Sequence, residues 1–314
     1  MSANPINSAQ FTRLLDKRLR KVFQDKFAEI PTMKENFYNI LKTDSAFEEF
    51  FEIGTIPDIP EFTGKLSYLS VAPGYYNKIE PKEFAGGLMF ERKLLDDKKY
   101  SVMDNRVGML TTSAIRVQEK YAARPFYNAF SAAFDFQTSE EGVALCSTGH
   151  LTKSGTSTSV GFSNAGTSAM SKTSINATRI LMRRFRNDIS ERIDMEPDLI
   201  ICPDSLYDTA CECVGYDPRS GAESQLDPDT GQFKINSARA FTVIPWLRLD
   251  DYTTKNWYMV DRKKMKQHLL WINRVDPEFN MKVDFDTFSI KNSVYFRIAT
   301  GFTAWQWLFG QSVT

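Results

Sequence analysis

The sequence predicts an α+β fold, with helices early in the chain and strands crowded into its last part. Three observations carry this prediction. Met103, Val107, Leu110, Ala114, Val117 and Tyr121 step by four and three residues, the spacing of one helical face. From Ala240 onward, short apolar runs follow one another as strands. Two polar, turn-rich segments, 142–167 and 215–237, separate these regions and suit loops.

The elements follow in order. Phe11, Leu15, Leu19, Val22, Phe23 and Phe27 recur at helical spacing, and basic residues fill the other positions. These include Arg13, Lys17, Arg20 and Lys21, so a basic amphipathic helix opens the chain and ends before Pro31. A short helix is expected over Lys34 to Phe51. The prolines at 57 and 60 exclude regular helix or a central strand there. Lys65 to Val71 alternates and reads as a strand, Pro73-Gly74 as a turn, and Gly87 to Leu95 as a second extended piece. The two pieces predict a long two-stranded arm, a structure marginal in isolation that needs something to dock on.

The long helix from Met103 breaks near Pro125. Ser171 caps the next helix, whose apolar positions are Ile175, Met182, Phe185 and Ile189. Leu199 to Cys202 is an apolar strand, and Pro203 opens a helix reaching Val214. Strands are then expected at Ala240–Leu249, Trp257–Val260, Gln267–Ile272, Asn280–Phe285, Val294–Ala299 and Thr303–Trp307.

Composition excludes several classes of function. Thirty-nine basic residues balance thirty-nine acidic ones, whereas a protein that wraps nucleic acid by charge alone carries a basic excess. Apolar residues at 42% and charged residues at 25% describe an ordinary globular chain. Four cysteines are too few and too irregular for a disulfide scaffold, which predicts folding in a reducing cytoplasm. The first ten residues are polar, and no apolar run is long enough to span a membrane, so neither a secretory leader nor a membrane location is expected.

The search for chemistry finds little. Gly155 to Gly161 lacks the lysine of a phosphate loop, and no dinucleotide fingerprint, nucleophile elbow or zinc-protease motif occurs. No cofactor and no metal site is expected. Only Cys146 and His150 lie close enough in sequence to form a nucleophile and base, and a cytoplasmic enzyme built on them is the alternative from a different class. Asp96 and Asp97 sit where acids suit the positive end of a following helix dipole.

The order of parts resembles the Hong Kong 97-type capsid fold. A basic helical arm comes first, then an extended hairpin, a long helix, a Gly/Ser/Thr loop, a helix–strand–helix unit, a turn-rich loop and terminal strands. Three segments are also similar to the Mu-like prophage major head subunit family: Phe90 to Asp97, Gly142 to His150 with the loop closing at Asn164, and Pro197 to Pro203. The Trp257-Tyr258 strand and the ending from Gly301 to Trp307 complete the likeness. The chain departs from that family around His150, where Gly149 precedes and Leu151 follows.

The resemblance implies a shell subunit with no catalysis. It divides the chain into an N-terminal arm (1–55), an E-loop (56–98), a P-domain with the spine helix (99–165 and 250–300) and an A-domain (166–249 and 301–314) with an axial loop at 215–237. It places assembly contacts on E-loop residues Lys65, Tyr68, Tyr75, Tyr76, Phe84, Phe90 and Arg92. It adds axial-loop residues Asp217, Arg219, Asp227 and Asp229, and arm residues Arg13, Lys17, Arg20 and Lys21. Its implied partners are further copies of the chain in pentamers and hexamers, a separate scaffolding protein, a portal and a decoration protein, with non-specific contact to packaged double-stranded DNA. An encapsulin-like nanocompartment shell shares the same fold and is the nearer alternative.

Overall fold

The computed structural model describes residues 8–215 and 241–314 apart from 285 and 288, with side chains from residue 15 onward. The chain begins with helix α1 (Ser8–Glu29), the one-turn helix α2 (Met33–Phe37) and strand β1 (Asn39–Lys42). Strands β2 (Glu48–Ile53), β3 (Pro73–Ile79) and β4 (Lys82–Phe90) follow, then α3 (Arg92–Asp96) and the long helix α4 (Tyr100–Tyr127). Next come β5 (Gln137–Ser139), β6 (Ala165–Gly166), α5 (Lys172–Met182), β7 (Leu199–Cys202), a 3-10 turn and α6 (Tyr207–Val214). The last part holds β8 (Thr242–Pro245), α7 (Leu247–Asp250), β9 (Trp257–Val260), α8 (Arg262–His268), β10 (Leu269–Val283), β11 (Ile290–Phe302) and β12 (Leu308–Gln311).

Three sheets result. The first runs β1-β10-β11-β4, with β10 and β11 paired as one long antiparallel hairpin. The second is the mixed sheet β6-β12-β9-β7-β8, and the third is the small sheet β2-β3-β5. Helix α4 packs against β4 and β11 while α1 lies along α4 and reaches β10, so the two helices form one layer over the first sheet.

The stripe expected on α4 is its inner side: Met103, Val107 and Ala114 are buried, and Leu110, Val117 and Tyr121 are half-buried. Near its end, Phe126 is fully buried among Phe37, Trp246, Tyr258 and Trp307, with ring centroids 5.4–6.1 Å away. This cluster joins the helical layer to the second sheet. Pro125 falls in the last turn, where the helix ends two residues later at Tyr127. Ser171 forms a capping box with Ser174 at the start of α5, as its position suggests.

The segment before β1 is held by side chains of α4 and α8. A single turn has too few internal bonds to persist alone. Glu119 accepts from the backbone N–H of Met33 at 2.8 Å, Lys34 Nζ donates to Gln118 Oε1 at 2.6 Å, and Tyr38 donates to the Ala122 carbonyl at 2.6 Å. Lys266 Nζ donates to the carbonyls of Glu35 and Tyr38 at 2.6 and 2.9 Å. Burial pushes the Glu119 carboxyl above the ordinary carboxylate range and the Lys34 ammonium below its own.

Several expectations are corrected. The segment 34–51 is not one helix but α2, β1 and the start of β2. Lys65–Val71 forms no strand; the ribbon is built from β2 and β3, which pair from Glu48↔Ile79 to Ile53↔Pro73. Residues 82–90 pair with β11 instead, and Arg92–Leu95 is helical. Helix α5 stops at Met182, before Phe185 and Ile189. Of the strand expected over Ala240–Leu249, the described residues 241–249 hold the four-residue strand β8 before α7 begins. The pieces at 267–272 and 280–285 belong largely to one strand, β10, whose register shifts between Val275 and Glu278 around Asp276-Pro277. The final strand is Leu308–Gln311, not Thr303–Trp307.

Two measurements test this packing. Phe126→Ala should destabilise the subunit by about 3–5 kcal/mol in chemical denaturation, the usual cost of emptying a buried aromatic site. Because Glu119 binds its proton more tightly when folded, stability should fall as pH rises from the ordinary value of 4.5 through the raised one. Glu119→Gln should flatten that slope in melting curves taken across the same pH range.

Candidate assembly surfaces

The β2–β3 ribbon leaves the body of the subunit at a built base. The backbone N–H of Gly54 donates to the Ala72 carbonyl at 3.0 Å, and that of Thr55 to Asp188 Oδ1 at 2.9 Å. A Cβ on Gly54 would lie 2.3 Å from Ala72 O and 2.4 Å from Asp188 Oδ2, so only glycine fits. Across the ribbon, Phe51 and Tyr76 pack at 5.3 Å, Tyr76 donates to Glu49 at 3.0 Å, and Lys78 Nζ lies 4.1 Å from the centre of the Phe47 ring.

Beyond the base the ribbon offers apolar side chains to solvent. Ile53 is 82% exposed, Ile59 88% and Tyr68 95%, and Phe51, Ile56, Phe62 and Leu66 are also exposed. Nearly half of the exposed large apolar side chains among the described residues lie between 47 and 71. Scattered exposed apolar residues are ordinary; this concentration on one projecting segment marks an interaction surface.

The expected E-loop residues divide accordingly. Lys65 and Tyr68 are exposed on the segment between β2 and β3, and Tyr76 is on the ribbon. Tyr75 is half-buried at the ribbon base, with Lys153 Nζ 5.3 Å from its ring centre. Phe84 stacks on Phe296 at 5.3 Å and packs at a tilt against Tyr121 at 5.0 Å, and Phe90 is fully buried, so the subunit's own core occupies both. Arg92 sits on α3 and faces Asp96 at 3.7 Å. Exposed apolar residues 51–62 were missed as a site; the signal available was apolar side chains alternating with prolines.

On α1, Lys17, Arg20 and Lys21 are exposed, and Arg18 clamps the helix to α4 through Asp104 at 2.6 Å. Arg20 also faces Asp16 at 3.6 Å. The side chain of Arg13 and the axial-loop residues Asp217, Arg219, Asp227 and Asp229 lie outside the described residues.

The Gly/Ser/Thr loop closes on a buried polar junction. His150 stacks on Trp305, ring centres 4.2 Å apart. Its Nδ1 faces Glu141 Oε1 and its Nε2 faces Asn164 Oδ1, each at 3.0 Å. Asn164 donates to the carbonyls of Leu145 and Leu308 and accepts from the Ser147 N–H. Its amide is thereby oriented, and His150 Nε2 is the donor of that pair. Both ring nitrogens are engaged, and neither is directed at a thiol. Burial pushes the Cys146 thiol far above its usual range, opposite to the activation a nucleophile needs. The arrangement staples the loop to β12. Among the described residues no cluster of side chains has metal-binding geometry.

Solved bacteriophage capsids share this architecture. The procapsid of bacteriophage JBD30 aligns at 15% identity and a TM-score of 0.50, covering 98% of this chain and 76% of that one. Microbacterium phage Oxtober96 aligns at 10% identity and a TM-score of 0.54, covering 91% and 92%. The bacteriophage PhiM1 mature capsid gives 10% and 0.54, covering 91% and 88%. The fold is the Hong Kong 97-type capsid fold. No protein-family model matches the sequence, and no curated protein sequence matches it.

The combined variant Ile53→Ser, Ile59→Ser, Phe62→Ser tests the apolar ribbon. Each change should alter subunit stability by less than about 0.5 kcal/mol, because nothing in the subunit covers these side chains. Together they should abolish self-association in sedimentation velocity.

Proposed function

We propose that this chain is the major capsid subunit of a tailed bacteriophage, assembling as pentamers and hexamers into an icosahedral shell around double-stranded DNA. The observation that carries the proposal is a capsid fold whose ribbon holds its apolar side chains away from the subunit's own core. Burying an apolar side chain of that size contributes roughly 1.5–3 kcal/mol. A second copy of the chain lying under the ribbon supplies that burial, and heterologous contacts of this kind close into rings. The zero net charge suits such packing, since little repulsion opposes dense association.

In this reading α4 is the spine of a peripheral domain and the five-stranded sheet belongs to an axial domain. The loop 215–237 faces the capsomer axis, and α1 is the arm. The location is the virion, with assembly in the host cytoplasm. A scaffolding protein, a portal and a decoration protein are the expected companions. The Mu-like prophage head subunits are the relatives we favour, because the loop that begins near His150 closes on Asn164 and the two side chains bond to each other.

Size decides the proposal. The chain, expressed alone and with its neighbouring genes, should give closed shells, rings of five or six, or tubes in negative-stain microscopy. A folded monomer or dimer that stays so at high concentration, with candidate scaffolding protein present, overturns it.

A further inference from the structure

The outward side of α4 carries charge of one sign. Its exposed positions are Ser101, Val102, Asn105, Arg106, Met109, Thr112, Arg116 and Lys120, with three cations and no acid among them. Both acids of this helix are committed elsewhere: Asp104 pairs with Arg18, and Glu119 accepts from the backbone of α2. Arg106, Arg116 and Lys120 form no ion pair with any described residue. Residues 106, 109, 113, 116 and 120 step by three and four, so the cations share one straight stripe. It extends about 21 Å at 1.5 Å per residue, the rise of about six base pairs of a duplex.

The neighbouring helix extends the stripe into a face. Helix α1 packs along α4 in the same layer, and its Lys17 and Lys21 are exposed and form no ion pair with a described residue. On α4 the acids are spent on contacts within the subunit, whereas α1 also exposes two acids, Asp25 and Glu29, the latter beside Lys26 at 2.6 Å. The layer covers one side of the β1-β10-β11-β4 sheet, and these basic positions of α4 and α1 are exposed among the described residues.

We propose that this face, formed by Lys17, Lys21, Arg106, Arg116 and Lys120, binds the phosphate backbone of double-stranded DNA without reading sequence. Cations spread along a helical layer match a polyanion and make no fork for a base edge. The inference rests on the shell reading, in which this layer faces the packaged duplex; there, many copies acting together make weak contacts sufficient. It also explains how a neutral chain contacts nucleic acid: on α4 every exposed charge is basic.

The experiment measures binding of purified protein to random-sequence duplex DNA against salt, with shell formation followed separately by microscopy. Five phosphate contacts predict that affinity falls about 500-fold between about 50 and 200 mM salt. The variant Arg106→Gln, Arg116→Gln, Lys120→Gln, left with two contacts, should fall only about 10-fold over the same range and still form shells. Arg106→Lys with Arg116→Lys should keep the wild-type salt dependence, because charge and not guanidinium geometry is what the contact needs. Equal salt dependence in the wild type and the Gln variant overturns the inference and leaves the shell reading intact. So does a Gln variant that loses shells but keeps DNA binding, which makes the face a contact between subunits. Failure of the wild type itself to form any shell, ring or tube is the separate failure of the shell reading.

Discussion

The fold depends on burying one side of α4 along its whole length. A helix of 28 residues with a continuous apolar stripe needs a long partner. The chain provides it from a distance: β4 lies just before the helix, and β11 arrives more than 160 residues later. The hairpin β10–β11 is therefore long because the helix is long. At the C-terminal end of α4, Phe126 enters a ring of aromatic residues from α2, the start of α7, β9 and the turn before β12. One side chain thus fixes how the helical layer meets the second sheet. Small changes there should propagate, because close-packed aromatic clusters do not deform continuously.

What was legible in the sequence is what local spacing determines. The α4 stripe, the capping residue Ser171 and the apolar strand β7 each state their element within a few residues. The loop from His150 to Asn164 was legible as a segment, although the stack on Trp305 and the bond to Glu141 were not. Strand β2 was hidden because Phe47, Phe50 and Phe51 have helical spacing; pairing with β3 overrides it. Strand β10 was split in two by Asp276-Pro277, which the ladder absorbs as an irregularity. Helix α8 has one buried residue, Met265, and so shows no stripe. It forms because Asp261 accepts from the N–H groups of Lys263 and Lys264.

Net charge illustrates the same limit. A balance of thirty-nine against thirty-nine describes the whole chain and nothing about its faces. Asp104 and Glu119 count as two acids in the sum, yet on the folded subunit they neutralise Arg18 and cap α2. Composition argues against a protein that binds nucleic acid through its overall charge. It has no power against a basic face that exists only after α1 and α4 are laid side by side.

The ribbon reconciles exposure with specificity. A long apolar strand left bare would invite pairing with any other edge. Here the paired part ends at Ile53 and Pro73, and the exposed segment beyond it carries Pro57 and Pro60 and forms no regular strand. Prolines remove the donors that edge-to-edge pairing needs. What remains is a set of apolar side chains without a β template, so the surface that accepts them has to match their shape and not their backbone. The base is built the opposite way. Gly54 lies so close to Ala72 and Asp188 that a single added carbon would force them apart. The root is fixed by two hydrogen bonds from backbone N–H groups while the tip is unpaired, so the exposed apolar side chains leave the subunit from a defined place.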